Sequence, residues 1–384
     1  MRSQMFSCIA ALIVVFAAGV SVRAADTMTQ ATATVDKSFD FLKKQQRPDN
    51  SWQDAVDPPG MSALVLKAFM EDERYDADMP FLDKGFDKLL SYQLENGGIY
   101  KDVLANYNTA IAISALSVSK EAEYKPAIAK ALAYLRTLQW SDKIEGAGQV
   151  KVSPDDPKYG GFGYGKRGRP DMSNTQWAVE ALKEAGVKPE DPAFAAAMKF
   201  ASRSQNYSET NDQKWAGNDG GFVYVDDGEA ASDPAGEYVG PDGKKLLRSY
   251  GSMTYAGLKS MIYAGIGKDD PRVKAAWDWI RHNYTVDENP GLAAAGPDQS
   301  KGGLYYYLYT MSKALHAYNE PSITDADGRK HDWRSDLSAK LAALQRPDGS
   351  FVGERRWMED NSVLVTAYAG LTLEEIRKDL KEHP

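Results

Sequence analysis

Cysteine is almost missing: Cys8 stands alone in 384 residues, inside an N-terminal stretch unlike the rest of the chain. A single thiol excludes an internal disulfide, and beyond that stretch no thiolate remains for zinc or for nucleophilic attack, so stability has to come from packing. Histidine is scarce too. His282, His316, His331 and His383 show no metal-ligand spacing, and no metal site is expected. Positive charge is in deficit, with 46 Lys and Arg against 54 Asp and Glu, which argues against a nucleic-acid partner. No Gly-rich phosphate cradle, zincin pattern or serine nucleophile elbow is found, so no cofactor is expected. After residue 24 no apolar run is long enough to span a bilayer.

The first 24 residues are built differently. Arg2, an apolar run from Phe6 to Val20 and Val22-Arg23-Ala24 ahead of Ala25 read as a secretory signal peptide. The expected mature chain is then 25–384, one domain, exported to the periplasm or secreted, with no transmembrane segment. Its loss removes Arg2 and Arg23 and no acid, two positive charges fewer, and takes the formal charge from −8 to −10.

What the chain has in quantity is a repeated unit: a helix ending on Gln, a glycine turn, a polar helix start, then an apolar helix. Six copies are expected, at approximately 36–75, 80–120, 126–187, 192–267, 271–320 and 332–375. The clearest holds Gln139, Gly160-Gly161-Phe162 and "PDMSNTQWAVEAL"; the fifth is degenerate, with Trp279 to Tyr284 where the Gln end should be. First helices tend to open on proline, as at Pro80, Pro126, Pro192 and Pro271, and carry charge on one side. They read as an outer, solvated ring. Second helices open on polar cap residues and run nearly apolar all round, as expected of an inner ring packed on both sides. The pattern predicts an all-α fold, an (α/α)6 toroid or double ring of six helical hairpins, closed rather than open. In the fourth repeat, Phe222 to Val225, an acidic loop and Val239-Gly240-Pro241-Asp242-Gly243 predict a small β-hairpin insertion.

The serial Gln and Gly-Gly-aromatic turns, with "PDMSNTQWAVEAL" and "SYGSMTYAGLKSM", resemble the squalene–hopene cyclase and protein prenyltransferase superfamily over residues 36 to 375. The resemblance implies a central cavity that in the enzymes holds an isoprenoid chain. It also implies where the chemistry should sit. Class II terpenoid cyclases use a DxDD-type motif followed by Thr, whose middle acid protonates an alkene or epoxide. Here the matching run is Asp171-Met172-Ser173-Asn174-Thr175, with Ser173 in the proton donor's place. A serine hydroxyl is far too weak an acid for that step. The zinc cysteine of the prenyltransferases is absent as well.

If the ring closes, the inner-helix starts converge on one opening, and convergent polar groups beside aromatic rings suggest ligand binding. The candidates are Asn108, Asp171, Asn174, Gln176, Arg248, Tyr250, Tyr306, Trp357 and Asp360. No catalytic residue is assigned, and helix capping is the competing role for the polar ones. The loop Lys166-Arg167-Gly168-Arg169 is a further anion-binding candidate. Three functions fit this reading. The first is an exported toroid binding an apolar or isoprenoid ligand without the usual cyclase or zinc chemistry. The second is a non-catalytic scaffold with a peripheral membrane or protein partner. The third is a polysaccharide lyase or glycoside hydrolase, which would need two facing carboxylates.

Overall fold

Each repeat turns on the same few atoms, and those atoms close the ring. The computed structural model describes residues 3–54, 56–143, 149–165, 168–224 and 234–384, with side chains from Ala24 onward, Pro297 excepted. Lys166, Arg167 and Val225 lie outside the described residues. The first helices of the pairs are α1 (Ser3–Lys44), α3 (Pro80–Leu90), α5 (Lys125–Arg136), α7 (Pro192–Arg203), α9 (Pro271–Asn283) and α11 (Trp333–Leu344). The second are α2 (Gly60–Glu71), α4 (Ala105–Val118), α6 (Met172–Glu184), α8 (Gly251–Tyr263), α10 (Leu304–Tyr318) and α12 (Ser362–Glu382). Each second helix packs on the next around the axis, and α12 packs back on α2. The first helices lie outside them, so the fold is the expected α/α toroid.

A glutamine at the end of an outer helix ties each turn to the following repeat. Its amide N–H₂ donates once to its own turn and once to the backbone of the next outer helix. Gln93 reaches Gly97 O (3.1 Å) and Ala127 O (2.9 Å). Gln139 reaches Gly160 O and Ala193 O (both 2.9 Å), and Gln205 reaches Gly220 O (2.9 Å) and Arg272 O (2.8 Å). In the first repeat Gln46 reaches Phe81 O at 2.7 Å. In the last, Gln345 reaches Thr34 O on α1 at 2.8 Å, so the same bond seals the ends of the chain. The degenerate fifth repeat uses Tyr284 instead, whose hydroxyl donates to Asp336 on α11 at 2.9 Å.

Two further residues complete the turn. Glycine is required at Gly160 because its φ is +88° and an added Cβ would lie 1.8 Å from Ala196 O on α7. The inner-helix threonine then accepts the N–H of the turn's apolar residue, as Thr175 does from Phe162 at 3.0 Å and Thr254 from Phe222 at 3.0 Å.

Three expectations need correction. The first helix begins well upstream of residue 36, because Thr27, Ala31, Thr34 and Val35 already form a buried face of α1 against α11 and α12. The hairpin is present, but its strands are β1 (Glu237–Val239) and β2 (Lys245–Leu247) on either side of the predicted turn, and Phe222 is not part of it. A second small pair, β3 (Ile323–Thr324) with β4 (Lys330–His331), precedes α11. Finally, the inner helices are not apolar all round. Lys67 of α2 bonds Glu180 (2.6 Å) and Glu184 (3.0 Å) of α6, Lys259 of α8 bonds Glu180, and Lys313 of α10 bonds Glu184 (3.2 Å) and Glu375 of α12 (3.0 Å). Burial alone would raise the carboxyl groups, but the lysines pull Glu180 well below the usual range and Glu375 down to about 2. The glutamates are therefore ionised, and three lysines meet three glutamates on the axis.

Gly160→Ala is expected to lower the unfolding free energy by roughly 3 kcal/mol through backbone overpacking. Gly186→Ala, at φ +77° with nothing within 4 Å, should cost only about 1 kcal/mol; equal losses in urea titrations would contradict the fit at Gly160. Glu180→Gln should destabilise by about 3–5 kcal/mol because Lys67 and Lys259 stay buried without their shared partner. Since the depressed carboxyls confer stability above the usual glutamate range, the melting temperature of the wild type should fall as pH drops from about 4.5 toward 2, and by less in Glu180→Gln.

Candidate functional site

The inner helices start at one rim, and side chains borrowed from neighbouring segments complete three of the six starts. Asp171 caps its own helix, accepting from Asn174 N at 2.7 Å, and Asn361 does the same for Val363 N at 3.0 Å. The N–H of Gly60 on α2 goes to Asn108 Oδ1 (2.7 Å), that of Ser252 on α8 to Asn289 Oδ1 (2.9 Å), and that of Tyr306 on α10 to Glu359 Oε1 (3.0 Å). Helix ends that would otherwise leave bare donors are thus satisfied across the ring.

Between these starts lies a chamber of about 620 Å³. Its wall combines Met61, Leu64, Ile111, Met253 and Leu364 with the rings of Tyr107, Tyr164, Tyr224, Tyr250, Tyr306 and Tyr368, and Trp357 stands at the mouth. Below, Tyr309 stacks near Tyr368 (5.6 Å between ring centres) and donates to Glu180 at 2.8 Å, so aromatic rings separate the chamber from the ionic axis. A cavity of this size with few polar groups is the usual form of a small-molecule site.

Ser173 faces this space, and its hydroxyl is fully engaged: it shares hydrogen bonds with the hydroxyls of Tyr107 (2.5 Å) and Tyr306 (3.1 Å). Gln176 Nε2 also donates to Tyr306 at 3.1 Å. Burial pushes both tyrosines above their ordinary range, so they remain neutral. Asp171 is buried behind the wall, with one oxygen on Asn174 N and the other on Asn174 Nδ2, both at 2.7 Å. Burial raises its carboxyl to about 7, against the pull of the Asn174 and Tyr224 hydrogen bonds.

Of the predicted residues, Asn108, Tyr250, Tyr306 and Trp357 reach the chamber wall. Asp171, Asn174 and Gln176 stand one layer back: Asn174 accepts from Asn106 Nδ2 at 2.9 Å, and the three brace the rim. Arg248 and Asp360 are corrections. Arg248 lies over the Tyr238 ring of the hairpin, 4.9 Å from its centre, because it follows directly on β2 rather than beginning the helix. Asp360 is exposed, 3.9 Å from Arg355. Its neighbour turns in instead, because Trp357 and Met358 both adopt left-handed backbone conformations (φ 56° and 64°) that reverse the order of inward and outward side chains.

That neighbour, Glu359, was not among the predicted residues. It is 1% exposed, lines the chamber, and is the single acid of the wall among the described residues. Burial raises its carboxyl to about 8, against the N–H groups of Tyr306, Tyr305 and Leu304. Only the acidic run around Asp360 hinted at it. Among the described residues no group of three His, Cys, Asp or Glu is placed to hold a metal ion, and no helix is long and apolar enough to cross a membrane. His316 sits at the opposite end of the ring, beside Asp379 (3.5 Å) and Glu375 (3.9 Å).

Residues 53–225 match the squalene-hopene cyclase C-terminal domain family. Among solved structures, the type II terpene cyclase MstE from Scytonema aligns over 92% of this chain and 99% of its own, at 14% identity and a TM-score of 0.55. A variant of MstE in complex with geranylgeranyl dihydroxybenzoate aligns over the same shares at 15% identity and a TM-score of 0.54. A protein from Actinoplanes aligns over 91% and 99%, at 16% identity and a TM-score of 0.52. No curated protein matches the chain by sequence. With the toroid closed and the chamber at its centre, the chain has the α/α-toroid fold of these type II terpene cyclases, and its residues 53–225 are similar to the squalene-hopene cyclase C-terminal domain family, with Ser173 and Asn174 standing where two of the motif's acids would be.

Proposed function

We propose that this protein is an exported toroid that binds an apolar, isoprenoid-sized molecule in its central chamber and does not start a cyclisation from the usual acid position. The observation that carries the reading is the chamber itself: about 620 Å³, ringed by aliphatic and aromatic side chains. Filling such a space with an apolar chain removes both surfaces from water, at about 25 cal/mol for each Å² buried. A toroid of the same fold holding geranylgeranyl dihydroxybenzoate supports the ligand class. Export rests on the leader-like residues 1–24.

The chemistry follows from Ser173. Protonating an alkene requires a strong, well-placed acid, and a hydroxyl tied to Tyr107 and Tyr306 offers none. The other readings fit less well. A hydrolase needs a pair of carboxylates facing across the cavity, and Glu359 is the single acid of the wall among the described residues. A scaffold needs no chamber, and this one is open. Ligand entry is best placed at the mouth, where Tyr164, Trp357 and Met358 of the wall are partly exposed.

Geranylgeraniol added to the purified protein should quench its intrinsic fluorescence saturably. Leu64→Trp, which places an indole in the chamber, should weaken that binding by at least about tenfold, or ~1.4 kcal/mol; unchanged affinity would place the ligand elsewhere. After prolonged incubation the alcohol should be recovered linear by gas chromatography, and a cyclic product from the wild type would refute the absence of cyclase chemistry.

A further inference from the structure

One oxygen of the chamber wall is unaccounted for. Glu359 Oε1 accepts from Tyr306 N at 3.0 Å, but Oε2 is buried with no hydrogen-bond partner among the described residues. No Lys, Arg or His pairs with this carboxyl among them. The placement is held by costly local geometry. Two consecutive residues without glycine's freedom, Trp357 and Met358, take left-handed conformations just before it, and Gly353 N–H grips the Glu359 carbonyl at 2.7 Å. Gly353 also leaves the room, since an added Cβ there would sit 2.7 Å from Oε2. Capping α10 explains Oε1 alone. It explains neither the second oxygen nor the strained approach.

Several other polar groups of the wall are already engaged: Ser173 bonds both Tyr107 and Tyr306, and Asn108 is held by Gly60, Val103 and Leu104. A purely hydrocarbon ligand would seal Glu359 away from water with that oxygen unpaired, which weakens its binding. An oxygen on the ligand removes the cost. We infer that the chamber selects an apolar chain carrying a neutral oxygen acceptor, such as a ketone or alcohol, and that Glu359 holds this oxygen by donating a hydrogen bond from its carboxyl group. This rests on the apolar-ligand reading above and names the polar end of that ligand.

The proton is available because burial lifts the carboxyl to about 8, with Glu354 acting in the same direction. The groups around it do not supply a competing charge within reach. Tyr305 and Tyr306 of α10 and Tyr368 of α12 are kept neutral by burial, Arg356 lies over the Trp357 ring, and Arg355 faces Asp360. Below its raised value Glu359 is a donor, and as pH climbs through that value it becomes an acceptor that repels a ketone oxygen.

The test compares geranylgeranylacetone, whose ketone oxygen only accepts, with the hydrocarbon of the same skeleton carrying a methylene in place of the carbonyl. Both are titrated into the full chain by fluorescence at about pH 6 and about pH 10. In the wild type at the lower pH, the ketone should bind about tenfold tighter than the hydrocarbon, and the gap should close at the higher pH. Glu359→Gln keeps a donor of nearly the same shape, so its gap should persist at both pH values. Glu359→Leu should show no gap at either, with thermal melting confirming that it is folded. Equal affinities in the wild type at the lower pH, or a gap that survives in Glu359→Leu, would overturn the assignment while leaving apolar binding intact. Failure of both compounds to bind would overturn the proposed function with it.

Discussion

The toroid depends on one bifurcated contact, the glutamine amide that joins a repeat's own turn to the next outer helix. Each such bond satisfies two backbone carbonyls that the turn would otherwise bury unpaired, which is why a polar side chain is tolerated so deep. Because the second acceptor always belongs to the following repeat, the contact transmits register around the ring. Gln345 makes it to Thr34 and so joins the last repeat to the first. The glycine at φ near +88° serves the same approach, since the next helix's carbonyl occupies the space a Cβ would need.

Closure fixes what lies on the axis, and the axis is divided into two unlike halves. At the helix starts, apolar and aromatic side chains leave an open chamber; further down, charged side chains from five of the six inner helices fill the centre. Lysines and glutamates can share this buried space because each has at least one partner of opposite sign on another helix. Tyr309 belongs to both halves, its ring packing against Tyr368 beneath the chamber and its hydroxyl donating to Glu180. The ion network therefore lies beneath the aromatic floor of the chamber and clasps the helices together.

The run that resembles the cyclase acid motif, Asp171 to Thr175, is bound into the scaffold here. Asp171 is a helix cap turned toward Asn174, Thr175 braces the glycine turn, and Ser173 bridges the hydroxyls of Tyr107 and Tyr306. These are structural and positioning tasks. The chemically distinctive group stands elsewhere on the wall, at Glu359, where the backbone is bent out of its ordinary range to place it. A toroid allows such a placement because the inner-helix starts face the same space.

Much of the architecture was legible in the sequence because each repeat writes it out locally. Glycine marks the turn, proline the outer start, and apolar spacing the inner helix, and all three follow from backbone sterics and burial. The resemblance read from the serial glycine turns and the two longer motifs pointed, for the same reason, to the family whose model matches residues 53–225. What remained hidden depends on contacts between residues far apart in the chain. Lys67 and Glu180 look like ordinary helix charges until closure brings them to 2.6 Å, although one charge about two turns into several of the apolar helices was a signal. Asp360 and Glu359 are adjacent acids that no spacing rule separates. Only the tertiary structure, by forcing Trp357 and Met358 into left-handed turns, decided which one faces the chamber and which one faces water.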